Sequence, residues 1–477
     1  MGLNIFNARL SEISNKDYLF LHYDYFRLKK LIDKDIHNLP RKVNEYFEVI
    51  SGYAFSSKDY TDVGVKLIRI SNISKYGELL YTEMSKLPIE YQDKYSKYLL
   101  KNNDIIIGMT GDGKNFKTGI VLNSTNNVLL NQRVGILRLK ENIKYNEKFF
   151  YYMTKLDFFQ NQIKIVAMGK TQKNVSPFDL LKIQIPNTNL KIQNKAIEKI
   201  KPIEKEIQTL KAEKKDDLEI INNVFSKEFN IDLTEVKRLD STKQFNLKLQ
   251  NTILKNDLIR TSFKWHKLKI IQSYMYKDIK CIEKLSNFII STKNGWSPQS
   301  SEVEKGTPIL GQEHILKNGK ISLLASKYTV LTRNNIEDFY IKKNDFFVSR
   351  GNTVELVALA GIVTDDIEDN ILYPDLYIKI EFNEEYINKQ YMAYLFNSFF
   401  GRIYFKHVAK GKNQTMVKVS SKELHDFYVP LPDKTMQQEI VDKIQTQIDS
   451  QKDVDKQIED KQGEISKIIE DCIQKNG

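Results

Sequence analysis

Few residues in this chain have the types and spacing that chemistry requires. GMTGDGKN (Gly108 to Asn115) fits the G-x-x-x-x-G-K pattern of a phosphate-cradling loop, but Asn115 stands where a Mg²⁺-binding Ser or Thr belongs. The aligned stretch in the second half of the chain, SRGNTVEL, lacks the Gly-Lys. Pro374-Asp375 could begin a nuclease carboxylate motif, yet no suitably placed Glu-x-Lys follows, and it reads as the start of a strand. The two cysteines, Cys281 and Cys472, form no CxxC, and the six histidines form no HxxxH, so neither a disulfide scaffold nor a zinc site has support. DNA methyl transfer needs an Asn/Asp-Pro-Pro-aromatic or a Pro-Cys motif, and no Pro-Pro or Pro-Cys dipeptide occurs. No catalytic residue is assigned.

What remains is binding chemistry. Lys+Arg number 73 against 61 Asp+Glu, a net charge of +12. Such a surplus favours nucleic acid, because phosphate neutralisation dominates that affinity, although a lysine-rich composition alone does not decide it. Two loops, MGKTQKNVS (168–176) and KGKNQTMVKVS (410–420), combine glycine, lysine and glutamine. Lysines and backbone N–H groups suit phosphates, and Gln or Asn can pair with adenine in the major groove. The DNA-binding candidates there are Lys170, Thr171, Gln172 and Lys173, then Lys410, Lys412, Asn413 and Gln414; the same loops could instead be turns that fix the next strand. Further candidates for base reading are Lys66, Arg69 and Asn72 in the first half, and Lys293, Gln312 and His314 in the second. Arg133 and Arg350 suit guanine or phosphate, and Lys114 faces solvent or DNA.

These loops recur because the chain is written twice, at a spacing of about 240 residues. GVKLIRISNI (64–73) aligns with GTPILGQEHI (306–315), KNNDIIIGMTGD with IKKNDFFVSRGN, and QRVGILRL with PDLYIKIE. YNEKFFYYMTKLDFF (145–159) lies over YINKQYMAYLFNSFF (386–400), and VAMGKTQ over VAKGKNQ. Each copy closes with a proline-bearing strand and a glutamine-led helix, IQIPNTNLKIQ and VPLPDKTMQQ. Residues 74–98 and 316–340 do not match, which reads as one scaffold presenting two different surfaces, or as drift in surface loops.

Alternating runs such as VKLIRIS, DIIIGMT and VGILRLK predict strands, and the aromatic stretch at 146–163 a helix, so each half is expected to be an α+β domain. From Leu190 to about Lys227 the apolar residues recur at steps of 3 and 4, among them Ile200, Ile207, Leu210, Leu218 and Ile221. The stretch from Thr435 repeats the device with Ile444, Ile448, Ile458 and Ile465. Each predicts a long amphipathic helix, with Pro202 at a first-turn or kinked position, and the two are expected to pair as an antiparallel coiled coil. The expected domains are 1–189, a spacer helix 190–230, a second domain 231–434 and a final helix 435–477. The charged N-terminus and the lack of a spanning apolar stretch predict a cytoplasmic protein.

The ordered set FEVISGYAF, GVKLIRISNIS, DIIIGMTG, LNQRVG, MGKTQKNVS and IPNTNLKIQ, then LSNFIISTKNGWSP, NDFFVSRGN and VPLPDKTMQQEIVDKI, resembles the specificity subunits of type I restriction-modification systems over nearly the whole chain. The resemblance implies two target-recognition domains reading the halves of a split site on double-stranded DNA, and helices that space them and dock two methyltransferase subunits. It implies no cofactor in this chain. S-adenosylmethionine belongs to the methyltransferase, and ATP and Mg²⁺ to a restriction subunit. The long leaders Met1 to Asn44 and Ile231 to Ile279 depart from the pattern and leave room for a type IIB-like specificity subunit. A stand-alone DNA-binding regulator or a coiled-coil scaffold would leave either the helices or the paired loops without a role.

Overall fold

The computed structural model describes residues 40–474 apart from 82–83, 112–114, 123–126, 168–172, 247–261, 326 and 414–415, together with 14–15 and 18–19. It divides into two units: residues 1–212 with 456–477, and residues 213–455. The family of alternating apolar runs forms the same sheet in each. In the first unit β1 (Phe47–Ser51), β2 (Ile105–Gly108), β3 (Thr118–Ile120) and β4 (Val134–Leu139) lie in the order β1-β4-β2-β3, all antiparallel. In the second, β5 (Ile289–Asn294), β6 (Phe346–Ser349), β7 (Ala360–Ile362) and β8 (Tyr377–Phe382) lie in the order β5-β8-β6-β7. The residues of β2 and β6 are buried throughout, as central strands covered on both faces must be.

The Asn-Asp pair common to both copies has a local cause. Asn103 and Asn344 take positive φ (65° and 67°), where Asn is tolerated better than most residues. The following Asp104 and Asp345 accept the N–H of Lys101 and Lys342 at 2.7 and 2.8 Å and hold a cation across the sheet, Arg138 at 2.6 Å and Lys379 at 2.6 Å.

Aromatic helices cover each sheet: α1 (Glu147–Met153) and α2 (Asp157–Val166) in the first unit, then α3 (Leu190–Glu213). The second unit has α4 (Asp217–Glu228), α5 (Lys389–Asn397), α6 (Phe399–Val408) and most of α7 (Lys434–Gln474). Asn146 and Asn388 cap α1 and α5 through their side chains. The repeated glutamine joins the long helices to this arrangement. The amide of Gln193 accepts the Asn146 N–H at 2.8 Å and donates to the Thr188 carbonyl at 2.7 Å. Gln437 does the same between the Asn388 N–H and the Pro432 carbonyl, both at 2.8 Å. Both glutamines are buried.

The stripe of the long helices is buried as its spacing required. Ile200, Ile207, Ile458 and Ile465 are buried in the first unit, and Ile221, Ile444 and Ile448 in the second; Leu210 and Leu218 are half-buried. In the second unit three contacts run in opposite order along the two helical strands: Lys214 to Asp455 at 2.6 Å, the Lys215 N–H to Gln451 at 2.9 Å, and Glu228 to Lys443 at 2.7 Å. Antiparallel packing follows. In the first unit Lys461 meets Glu206 at 2.9 Å.

One expectation is corrected and two are made specific. The stretch 190–227 is two helices, because Asp216 accepts the Leu218 N–H at 2.9 Å and starts α4 as an N-cap, while Lys214 to Asp216 offer no apolar anchor. Pro202 lies inside α3, well past its first turn. The stretches that diverge in sequence, 74–98 and 316–340, share one strand ladder and one glycine turn and differ beyond them, where the first has a helical turn at Tyr91–Lys94 and the second has none at 330–335. Strand Val65–Ile68 pairs with Ser85–Leu87 as Thr307–Ile309 pairs with Lys327–Thr329, and Gly77 and Gly319 both turn at positive φ. Of the two leaders, the described parts include helices Leu233–Ser241 and Phe263–Met275, packed on the second unit. No described helix is long and apolar enough to cross a membrane.

Two measurements check this framework. Replacing Gln437 with Leu leaves the Asn388 N–H and two carbonyls, Tyr386 and Pro432, without this partner, and should cost about 1–3 kcal/mol for each that is buried; thermal unfolding of the variant reads it. Asp240 anchors helix Leu233–Ser241, and its carboxyl is held down to about 2, first by the hydrogen bond from His407 and then by Lys406, against the effect of burial. A depressed carboxyl stabilises above its ordinary pKa of about 4, and that stabilisation is lost as pH falls towards about 2. Asp240→Asn should therefore lower the melting temperature by a few degrees near neutrality and converge on the parent in acid.

Candidate nucleic-acid interface

The strand Val65–Ile68 runs into a 3₁₀ turn, Ile70–Asn72, and its counterpart Thr307–Ile309 into Gln312–His314. The Arg69 N–H donates to Asn72 Oδ1 at 2.9 Å, and the Gly311 N–H to His314 Nδ1 at 2.8 Å. His314 Nε2 lies 2.7 Å from the Leu324 carbonyl, which places the ring proton on Nε2. Both side chains are buried. Asn72 and His314 were expected to read bases; they are instead the equivalent latch of one turn, and their polar atoms are turned inward.

The other candidates divide by what surrounds them. Lys66, half-buried on its strand, has Nζ 5.5 Å from the centre of the Tyr81 ring, and the Arg69 guanidinium lies 5.9 Å from that of Tyr60. Lys293 is exposed, pairs with Asp338 at 3.0 Å and lies over Phe339 at 4.9 Å. Gln312 donates its amide to the Gly351 carbonyl, which brings it beside Arg350. Arg350 Nη1 reaches the Asp375 carbonyl at 3.5 Å, and Lys410 pairs with Glu423 at 2.7 Å.

Arg133 is exposed at the mouth of an open cleft of about 340 Å³, with Gln132, Ser51, Thr110 and Asn174. The strand Lys173–Asn174 pairs with Thr110–Gly111, so the structure brings Arg133 and the described end of the lysine-glutamine loop, Asn174 and Val175, to one place. Lys114, Lys170, Thr171, Gln172 and Gln414 lie outside the described residues. Lys412 and Asn413 lie in strand Lys410–Asn413, which pairs with Met416–Lys418. The phosphate-loop pattern is not in a phosphate-loop setting. Gly108 ends β2, and the next described elements are the short strand Thr110–Gly111 and then β3, where a nucleotide cradle needs a helix. Asp375 accepts a 2.5 Å hydrogen bond from the Ser297 hydroxyl at the turn before β8, a strand start as expected.

Sequence reasoning missed an aromatic surface. In the first unit Tyr53, Phe55, Tyr91 and Tyr95 pack in tilted and edge-on contacts with centroids 4.8 to 6.0 Å apart, and Lys94 lies 5.3 Å over Tyr95. The hydrogen bond with Tyr95 pushes the Tyr53 phenol above its ordinary range. In the second unit the exposed Arg333 lies 5.4 Å from the Trp296 ring and 4.6 Å from that of Phe339. The spacing Y-x₃-Y-x₂-Y at 91–98, with Lys94 and Lys97 between, was the available signal. Aromatic faces with cations over them can hold bases, sugars and phosphates alike.

Residues 39–219 and 277–462 match the model of the type I restriction modification DNA specificity domain. The chain is 28% identical over 196 residues to the type I restriction enzyme MjaVIII specificity subunit of Methanocaldococcus jannaschii, a match spanning 40% of this chain and 46% of that one. It is 23% identical to the type I restriction enzyme EcoBI specificity subunit of Escherichia coli, over 94% of this chain and 88% of that one. A crystal structure of the type I restriction-modification S subunit from M. genitalium is similar over 91% of this chain and 95% of its own, at 14% identity and a TM-score of 0.36.

The aromatic surfaces yield a direct test. Arg333→Ala and Tyr91→Ala, each in the full chain, should weaken sequence-dependent DNA retention by roughly ten- to a hundredfold, each relaxing preference in a different part of the site. Selection from a random DNA pool measures both; unchanged selection by the two variants would remove these surfaces from the interface.

Proposed function

Since this chain belongs to the type I restriction modification DNA specificity family, we propose that it assigns one part of a split, asymmetric DNA site to each of its two halves. It is a non-catalytic specificity subunit, with the domain present twice. The observation that carries the reading is one shared strand-and-turn frame bearing two sets of partly or fully exposed side chains. Tyr53, Tyr91 and Tyr95 with Lys94 mark the first unit, and Trp296, Arg333 and Lys293 mark the second. One scaffold with different side chains at equivalent positions can present different donors, acceptors and stacking faces to bases.

In this reading Arg133 and the loop 168–173 contact DNA in the first half, and Arg350, Gln312 and the loop 410–414 in the second. Phosphate contacts from the lysines would set register, and the divergent side chains would set sequence. The helical stripe fixes the spacing between half-sites and gives two N6-adenine methyltransferase subunits a surface to dock on. The mutual burial of Ile221, Ile444 and Ile448 supports a rigid spacer. S-adenosylmethionine would come with those partners, and ATP and Mg²⁺ with a restriction subunit.

Methylation sequencing tests it, comparing cells that express the chain with its cognate methyltransferase against cells with the methyltransferase alone. The expected result is a split N6-methyladenine motif, with two unlike halves, that appears only when the chain is present. A soluble complex of the two proteins that adds no new motif would overturn the proposal.

A further inference from the structure

The first unit contains a cavity of about 470 Å³, within the size range of small-molecule sites. The turn at 75–79, helices α1 and α3, and the stretch Gln462 to Ser466 of α7 enclose it. Three of the lysines around it have carboxylate partners: Lys75 with Glu459 at 3.2 Å, Lys148 with Glu204 at 2.6 Å, and Lys211 with Glu78 at 2.7 Å. Lys155 has none among the described residues. Its Nζ donates to the Tyr76 carbonyl at 2.8 Å and lies 4.4 Å from the centre of the Tyr151 ring. An ammonium has three hydrogens to donate, and that carbonyl takes one.

The fold does not require a cation there. In the second unit the matching position, at the offset that pairs Gly77 with Gly319, is Asn397, whose amide nitrogen donates to the Lys317 carbonyl at 3.2 Å, in the same turn but one residue before the counterpart of Tyr76. The same amide closes on Ala360 with two 2.8 Å bonds and is fully buried. A neutral amide therefore satisfies this turn in one copy, while the other copy places a charge in a cavity. Burial brings the Lys155 ammonium down to about 8, with Lys211 acting in the same direction and Glu78 and Glu204 against it. A bound anion would reverse that cost.

The opposite wall is also open. Gly463 lies within α7, where glycine weakens a helix, and a Cβ built on it would meet nothing within 4 Å. Tyr151, Ile207 and Ile465 supply the apolar lining between the two sides.

We propose that this cavity binds a small aromatic anion, its ring held between Tyr151 and the Ile207–Ile465 side and its carboxylate or phosphate on Lys155 Nζ. Such a ligand would touch the recognition sheet's helices and the spacer helices at once, and so would stiffen the first unit. The proposal is independent of which DNA the protein reads.

The full-length chain can be titrated with benzoate, phenyl phosphate and neutral benzamide by calorimetry, with melting temperatures recorded alongside. The expected result is saturable one-site binding of at least one anion, with benzamide weaker by about tenfold or more. The anion preferred separates a carboxylate site from a phosphate site. Lys155→Met should weaken binding by at least about tenfold, and Gly463→Leu, which fills the cavity, should abolish it while keeping the melting temperature of the ligand-free parent. Affinity should fall as pH rises through about 8, where the free amine loses its proton. If one variant melts early, the other decides. Absence of saturable binding at millimolar anion, or equal affinity in parent and folded variants, would overturn the site.

Discussion

A buried glutamine amide at the head of each long helix is the contact on which this architecture rests. The helices carry isoleucine stripes that any apolar surface could cover, so hydrophobic burial alone would let them slide or rotate. The amides of Gln193 and Gln437 remove that freedom, because each must accept one particular N–H and donate to one particular carbonyl at 2.7 to 2.8 Å. A slip of one residue would leave buried polar groups unpaired, at about 1–3 kcal/mol each. The N–H belongs to the cap of the aromatic helix, and that helix packs on the sheet, so spacer and recognition sheet are registered through a single side chain. Asn146 and Asn388 extend the joint with side-chain bonds to Asn194 and Gln438, both at 2.8 Å.

Much of this was legible in the sequence because the duplication acts as an internal comparison. Any residue kept at the same offset in both copies had a reason to be kept, and the structure supplies the reasons. The Asn-Asp pair is a left-handed turn followed by an acceptor, and the glutamine leading each helix is the joint just described; the glycines at 77 and 319, which both turn at positive φ, fell in stretches that the sequence comparison left unmatched. The helical stripes were legible for a different reason. Their period is fixed by helix geometry, so Ile200, Ile207, Ile444 and Ile458 had to fall on one side whatever their partner.

What could not be read depends on direction and competition. Asn72 and His314 have polar side chains in a divergent region, which suits base reading, but only the backbone path shows that both point inward onto the same N–H. The break at Lys214 to Asp216 is a contest between helix continuation and an aspartate cap, and periodicity on either side says nothing about which prevails. In the paired β4 and β8, the Val134 N–H bonds to Asn131 as the Tyr377 N–H bonds to Pro374, a step of one residue from the spacing that aligns QRVGILRL with PDLYIKIE. Such steps are absorbed in loops, and letters alone do not locate them.

The corrections sharpen the functional argument. Had residues 74–98 and 316–340 followed different paths, the two halves would be different folds at their surfaces, and a change of specificity would require rebuilding loops. They share the strand ladder, the glycine turn and the latch and differ in backbone only beyond them, so most of the difference between the halves is carried by side chains standing on a common frame. Tyr91 lies tilted against Phe55 and Tyr95 in the first unit, and Arg333 lies over Trp296 and Phe339 in the second. A frame whose own hydrogen bonds are satisfied internally tolerates such exchanges, because the residues that change are not those that hold the turn. Separating the residues that fold the protein from those that meet its target is what allows one duplicated scaffold to hold two unlike preferences.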